Sequence, residues 1–346
     1  MKRLAALGAP LFVSGCVSLE YYAQAVGGHL EVMRLSVPIE ERLREADTPE
    51  SLRAKLAKVL AIRDFASREL ALPDNESYRR YADIGRPFVV WNVFAAPEFS
   101  VKPVESCFLF AGCVSYRGFY SEAEAERHAA TLAGEGYDVH VGGVAAYSTL
   151  GWFSDPVLST FIQFPESEVA RIVFHELAHQ LVYVKGDTMF NESFASAVEE
   201  EGVRRWLERE GTPAQRAAYA DSRRRRSEFV ALVIKYRAEL AAFYDRPAEP
   251  EEKRAGKQRM FAQMQDEYRA LKVSWGGFAG YDRLFAHGAN NALLASVASY
   301  SELVPAFRAL LAQKDGDLPA FYRAVRDLAK LEKAERDKGL ASLASG

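Results

Sequence analysis

His175 and His179, four residues apart with Glu176 beside the first, constrain the fold more than any other feature of the chain. At 3.6 residues per turn an α-helix brings both imidazoles to one face, where they can share a metal ion, with Glu176 next to them as a base. This order is the helical signature of a zinc hydrolase. The surroundings suit a helix. Phe164-Pro165-Glu166-Ser167-Glu168 places proline in the first turn and acids at the positive end of the dipole, and Val169, Ile172, Val173 and Leu177 supply apolar contacts. With six histidines in 346 residues, an accidental match has on the order of one chance in a hundred.

Two histidines leave zinc short of ligands, so a third protein group must come from elsewhere while a fourth position stays open for water. Lys185-Gly186-Asp187 breaks the metal helix, and Asn191-Glu192-Ser193-Phe194-Ala195-Ser196 opens a second. A tight turn between antiparallel helices returns the first turn of the second to the last turns of the first, where His179 lies. Glu192 is therefore the third-ligand candidate. Glu192, Ala195, Ser196 and Glu199 share a face by periodicity, which lets Glu199 hydrogen-bond a ligand histidine from behind, while Glu200 and Glu201 face solvent. His29, His128 and His140 are read as surface or core histidines. Zinc lowers the pKa of bound water, and Glu176 would take its proton and later pass it to the leaving amine. Tyr281, His287 and Tyr300 are candidates for a second oxyanion donor, with Tyr300 ranked first.

The remaining composition narrows the class. A chain 49% hydrophobic and 26% charged can bury a sizeable core in one elaborate domain or two tightly joined ones. Its net charge of -3 makes no case for nucleic acid, and the one basic run, Arg223 to Arg226, reads as a solvated helix face. Lys2 and Arg3 precede a mostly apolar stretch, residues 4 to 13, and Val13-Ser14-Gly15-Cys16 resembles a bacterial lipoprotein processing site. Cys16 would then be lipidated after export, anchoring a periplasm-facing protein in the cell envelope. Val17, in place of a retaining aspartate, favours the outer membrane. The alternative is an ordinary cleaved signal or a short buried helix. No later segment reaches the ~18 apolar residues of a spanning helix. Cys107 and Cys113 would close a disulfide in an oxidising compartment, or else pack as reduced, buried thiols.

The pattern predicts an α+β fold, predominantly helical. Residues 1–16 form the signal segment and lipidation site, and 17–85 an N-terminal helical region built as a hairpin. Residues 86–210 form the catalytic core, with strands near 87–94, 107–110 and 137–141 and a helix at 121–133. Residues 211–275 read as a long helical hairpin. Residues 276–346 read as a C-terminal helical subdomain closing the cleft, with helices near 288–312 and 318–337.

The export site, Cys107 to Tyr120, Tyr147 to Pro156, the histidine motif, Phe190 to Ala195 and Asn290 to Tyr300 together resemble the bacterial putative aminopeptidase family of zinc-dependent lipoproteins. The resemblance spans most of the chain and extends to the wider gluzincin metallopeptidases. It implies a zincin-like core with a small mixed sheet, one zinc ion on His175, His179 and Glu192, and Glu176 as catalytic acid and base. Many gluzincins carry aspartate four residues after the glutamate ligand. Here Ser196 stands there, and Glu199 or Asp187 would take its place. In zincin-like peptidases an exposed strand pairs with the substrate backbone. Tyr147, Ser148, Thr149, Leu150 and Gly151 are read as that edge, the alternative being an ordinary loop. Asp155 and Glu199 are candidates to face a substrate's amino group. The implied activity is peptide hydrolysis from the amino terminus, acting on a peptide or protein. The competing reading is a zinc-containing, non-catalytic envelope lipoprotein that binds a partner.

Overall fold

The computed structural model describes the backbone of residues 14–108, 112–286 and 288–344. Residues 1–13 of the expected signal segment 1–16, the Cys16 side chain, Leu109 and Phe110 of the strand expected at 107–110, and His287 lie outside the described residues.

The chain opens with α1 (Ser14–Leu35), β1 (Ser36–Pro38), α2 (Ile39–Arg44), α3 (Glu50–Leu70) and β2 (Arg80–Ala82). Where a hairpin of two helices is expected, β1 and α2 intervene, and α1 turns to strand residues instead. Gln24 accepts from the Tyr120 amide at 3.0 Å, and Tyr21 meets Phe119 edge-on at 5.6 Å. Helix α3 buries Leu56, Val59, Ile62, Phe65, Ala66 and Leu70 at helical spacing, making it the wall against which the helices of residues 166–179 and 188–210 pack. Buried Arg63 donates to the carbonyls of Ser77 (2.8 Å) and Pro73 (2.6 Å), tying down the segment after α3.

Next come β3 (Val90–Ala96), β4 (Ser106–Phe108), β5 (Gly112–Val114), β6 (Arg117–Phe119), α4 (Glu122–Gly134), β7 (Asp138–Val144) and β8 (Val157–Leu158). β3 is the centre of an antiparallel sheet ordered β6-β3-β7, with Trp91 opposite Phe119 and Val93 opposite Val141. Flanked on both sides, β3 buries nearly all its residues, while β7 is an edge among the described residues. Helix α4, capped by Ser121, lays Ala125 and Ala129 against Trp91 and Val93. A small mixed sheet joins β1, β2 and β8, and the β4-β5 hairpin is closed by a disulfide between paired Cys107 and Cys113.

The edge expected at Tyr147–Gly151 is a loop, because regular pairing ends with Val144. Leu150 (φ 57°) and Gly151 (φ 82°) adopt left-handed backbone, which breaks an extended strand, and the turn is held by the Thr149 amide donating to Asp155 at 2.9 Å.

The rest is helical: α5 (Glu166–His179), α6 (Thr188–Glu210), α7 (Pro213–Tyr244), α8 (Pro250–Ser274), α9 (Asp282–Phe285), α10 (Asn291–Ser299), α11 (Val304–Ala312), α12 (Leu318–Ala329) and α13 (Lys333–Ala344). Helices α3, α5, α6, α11 and α12 share the main core. Gly202 permits the close approach of α6, since a Cβ there would stand 2.7 Å from the Phe174 ring and 2.8 Å from Leu70. Helices α7 and α8 form an antiparallel pair, started by a Thr212–Gln215 capping box and filled by a second core around Leu232, Tyr236, Met264 and Tyr268. The helices expected at 288–312 and 318–337 are each divided. Tyr300–Leu303 turns before Pro305, which cannot donate into a continuing helix, and Lys330–Glu332 separates α12 from α13.

Candidate metal centre

Pro165 is the N-cap of α5 rather than part of its first turn, and Glu166 and Glu168 follow at the positive end of the dipole. Helix α6 begins before Asn191. Asp187 caps it by accepting from the Phe190 amide at 3.1 Å and also makes a buried ion pair with Arg336 at 2.7 Å. Both Asp187 carboxylate oxygens are thus engaged elsewhere, and no hydrogen bond joins it to His175 or His179 among the described residues. Asn191 clamps the inter-helix turn, with its amide group accepting from Val184 N and donating to Val184 O, each at 2.8 Å. Gly186 (φ 80°) allows that turn to be tight.

The clamp delivers the next residue, Glu192, to the histidines. Glu192 Oε2 lies 3.2 Å from His175 Nε2 and 3.6 Å from His179 Nε2, and the two Nε2 atoms are 3.2 Å apart. All three residues are buried and could hold a metal ion. The fit is quantitative. Ligands about 2.0–2.1 Å from a tetrahedral zinc would be separated by about 3.3 Å, close to the observed spacing, and two imidazoles with one carboxylate are a familiar donor set for such an ion.

Behind this trio stands Glu199, with 1% of its side chain exposed. It accepts from His175 Nδ1 (2.8 Å), Arg171 (3.1 Å) and Arg226 (3.0 Å). The first bond directs His175 Nε2 towards Glu192 and fixes the ring. Burial works to raise the pKa of Glu199, but the Arg171 charge, the His175 bond and the Arg226 charge hold it well below the usual carboxylate range. Glu192 is likewise held down, at about 2, because the histidines outweigh its burial. Burial pulls His175 down, yet its bonds to Glu192 and Glu199 carry it to about 10. Burial raises Glu176, partly countered by the charges of His175 and His179. Ser196 Oγ and His179 Nδ1 have no hydrogen-bond partner among the described residues.

His175, Glu176, His179, Glu192 and Glu199 line a cleft of about 880 Å³. Tyr300 lines it, its ring centroid 6.4 Å from that of His175 and inclined by 28°, and burial pushes its hydroxyl pKa well up. Tyr116 and Tyr183 face the same space and were missed from sequence, since only the sheet and the inter-helix turn carry them there. Arg171, four residues before His175, was visible in principle from helical spacing. Tyr281 instead stacks on Phe229 at 4.1 Å in the second core.

Tyr147, Ser148 and Leu150 line the cleft together with His140, Gly142 and Gly143 of β7. Thr149 turns to Asp155, and Gly151 lies against Gln180. Asp155 is buried outside the cleft lining, with its pKa pushed by burial to about 7, so it does not face a substrate amine. His29 bonds the Tyr147 hydroxyl at 2.7 Å, and His128 packs near Phe119. Glu200 and Glu201 are covered rather than bathed in solvent. Arg223 and Arg308 reach Glu200, and Arg204 and Arg205 reach Glu201. The run Arg223–Arg226 is not a plain solvated face, because Arg226 turns in to Glu199.

Residues 20–340 match the model of the family described as putative aminopeptidase, and the chain belongs to that family. Neither a curated protein nor a solved structure matches it.

Proposed function

From membership of that family, we propose that the protein is a zinc-dependent peptidase with a zincin-like, gluzincin-type centre, in which His175, His179 and Glu192 hold one zinc ion and Glu176 is the acid and base. The observation that carries this reading is the convergence of the three ligand atoms at 3.2–3.6 Å, with Glu176 in the same cleft and Glu199 fixing His175 from behind. Zinc in such a site polarises a carbonyl and makes water acidic. Burial raises the proton affinity of Glu176, which suits a carboxylate that must accept a proton and return it to a leaving amine. The Tyr300 hydroxyl is the proposed donor to the developing oxyanion. Edge strand β7 offers backbone groups to an extended peptide, and His140, Gly142 and Gly143 bring that edge to the cleft.

Removal of amino-terminal residues is the specificity implied by the family's description. Endopeptidase action is the second reading, favoured by one observation: Glu176, Glu192 and Glu199 are the carboxylates lining the cleft among the described residues, and each already has a role there. Cleavage maps of paired free and N-acetylated peptides separate the two. The sequence also supports a lipid anchor at Cys16 and an address in the cell envelope, with the outer membrane favoured. Labelling with a lipid precursor in wild type and Cys16→Ala tests that proposal, and equal labelling would reject it.

Catalysis is tested by Glu176→Gln. The variant should keep its zinc and lose peptide hydrolysis by at least ~10²-fold, the scale expected when a positioned acid and base is removed. Undiminished turnover would reject the role of Glu176.

A further inference from the structure

A second cavity, of about 390 Å³, lies behind the metal centre and shares Arg171, Glu199, Arg226 and Tyr300 with the cleft. Five arginines (171, 223, 224, 226 and 308) line it with three glutamates (168, 199 and 200), and Arg224 is paired outside the lining with Asp221 and Glu228. Arg308 already sets two nitrogens on Glu200, but Arg223 and Arg226 keep spare donors. Arg226 places one nitrogen on Glu199 at 3.0 Å and Arg223 one on Glu200 at 3.3 Å, whereas a guanidinium carries five N–H donors. Ser196 lines the same cavity. It is 2% exposed, and its Oγ has no hydrogen-bond partner among the described residues.

A buried hydroxyl lacking a partner is costly unless something enters to bond it. Guanidiniums with spare donors around the same void favour a ligand that accepts several charge-assisted hydrogen bonds. Arg223 and Arg308, with side chains 39% and 48% exposed, give that ligand a way in from solvent. We propose that this chamber is an oxyanion-binding site, with Ser196, Arg223, Arg226 and Arg308 as its donors. The oxyanion is either a free inorganic anion or a carboxylate of a bound peptide.

The test is calorimetric titration of the full, zinc-loaded chain, so it reads binding and needs no peptidase activity. Inorganic phosphate is one probe. A short peptide with a free C-terminus, paired with its amidated form, is the other. Saturable binding of either probe, weakened at least tenfold in Arg223→Gln/Arg308→Gln and severalfold in Ser196→Ala, supports the site. Tighter binding of the free-acid peptide than of both the amide and phosphate assigns the anion to the substrate, and the reverse order assigns it to a free ion. Ser196→Ala keeps the test usable if the double variant does not fold. No saturation by 10 mM of either probe, or binding equal in wild type and Ser196→Ala, would overturn the proposal.

Discussion

Replacing Glu199 by glutamine keeps the side chain's shape and removes its charge, so it isolates what the carboxylate does for the metal centre. Glu199 accepts from His175 Nδ1, Arg171 and Arg226 at 2.8–3.1 Å. Glutamine has a single carbonyl oxygen for those three donors, and its amide opposes one of them. Loss of a partner behind a ligand histidine lowers metal affinity by about 10–100-fold, or about 1.4–2.7 kcal/mol. Folding suffers as well. Breaking a fully buried ion pair costs about 3–5 kcal/mol. Arg171 and Arg226 retain 26% and 38% of their side-chain exposure, so water recovers part of that loss, and about 2 kcal/mol is the discounted expectation. The assays are zinc competition against a chromophoric chelator and urea unfolding of the metal-free chain. Zinc affinity within twofold of wild type, together with an unchanged unfolding midpoint, would refute the role assigned to Glu199.

Two further perturbations probe other parts of the account. Burial lifts Asp155 from its ordinary 3.8 to about 7, so the folded state binds its proton more tightly than the unfolded state does. Its contribution is complete below about pH 4 and is lost as pH rises through about 7, a change of about 4 kcal/mol. Asp155→Asn should remove that slope from a urea-stability series, and parallel profiles for the two proteins would count against it. Tyr300→Phe should lower kcat by on the order of 10² while zinc stays bound. If Tyr116→Phe alone shows such a loss, the donor role passes to Tyr116.

Metal chemistry made part of the site legible, because two ligands four residues apart require a helix and a short break requires the next helix to return. Glu192 and Glu199 follow from that local arithmetic. Asp187 did not, because the partner that fixes it, Arg336, is 149 residues further along the chain. Tyr116 depends on how the segment between β5 and β6 is carried towards α5, which no periodicity encodes. The Tyr147–Gly151 segment reads as a strand from its place before α5, whereas the left-handed Leu150 that makes it a loop has no marker in residue type. Arg223–Arg226 reads as a solvated run because charge patterning cannot see the buried glutamate waiting on a neighbouring helix. The division of the C-terminal helices was half legible. Pro305 announces one break, but Lys330–Glu332 carries neither proline nor glycine.

The central claim is that His175, His179 and Glu192 jointly hold one metal ion, and metal analysis of purified chains tests it most directly. Wild type should carry about one zinc per chain after dialysis against zinc-free buffer, and His179→Ala and Glu192→Ala should each retain less than about a tenth of that, as expected for loss of a ligand from a three-ligand site. Equal zinc in all three proteins would contradict the account.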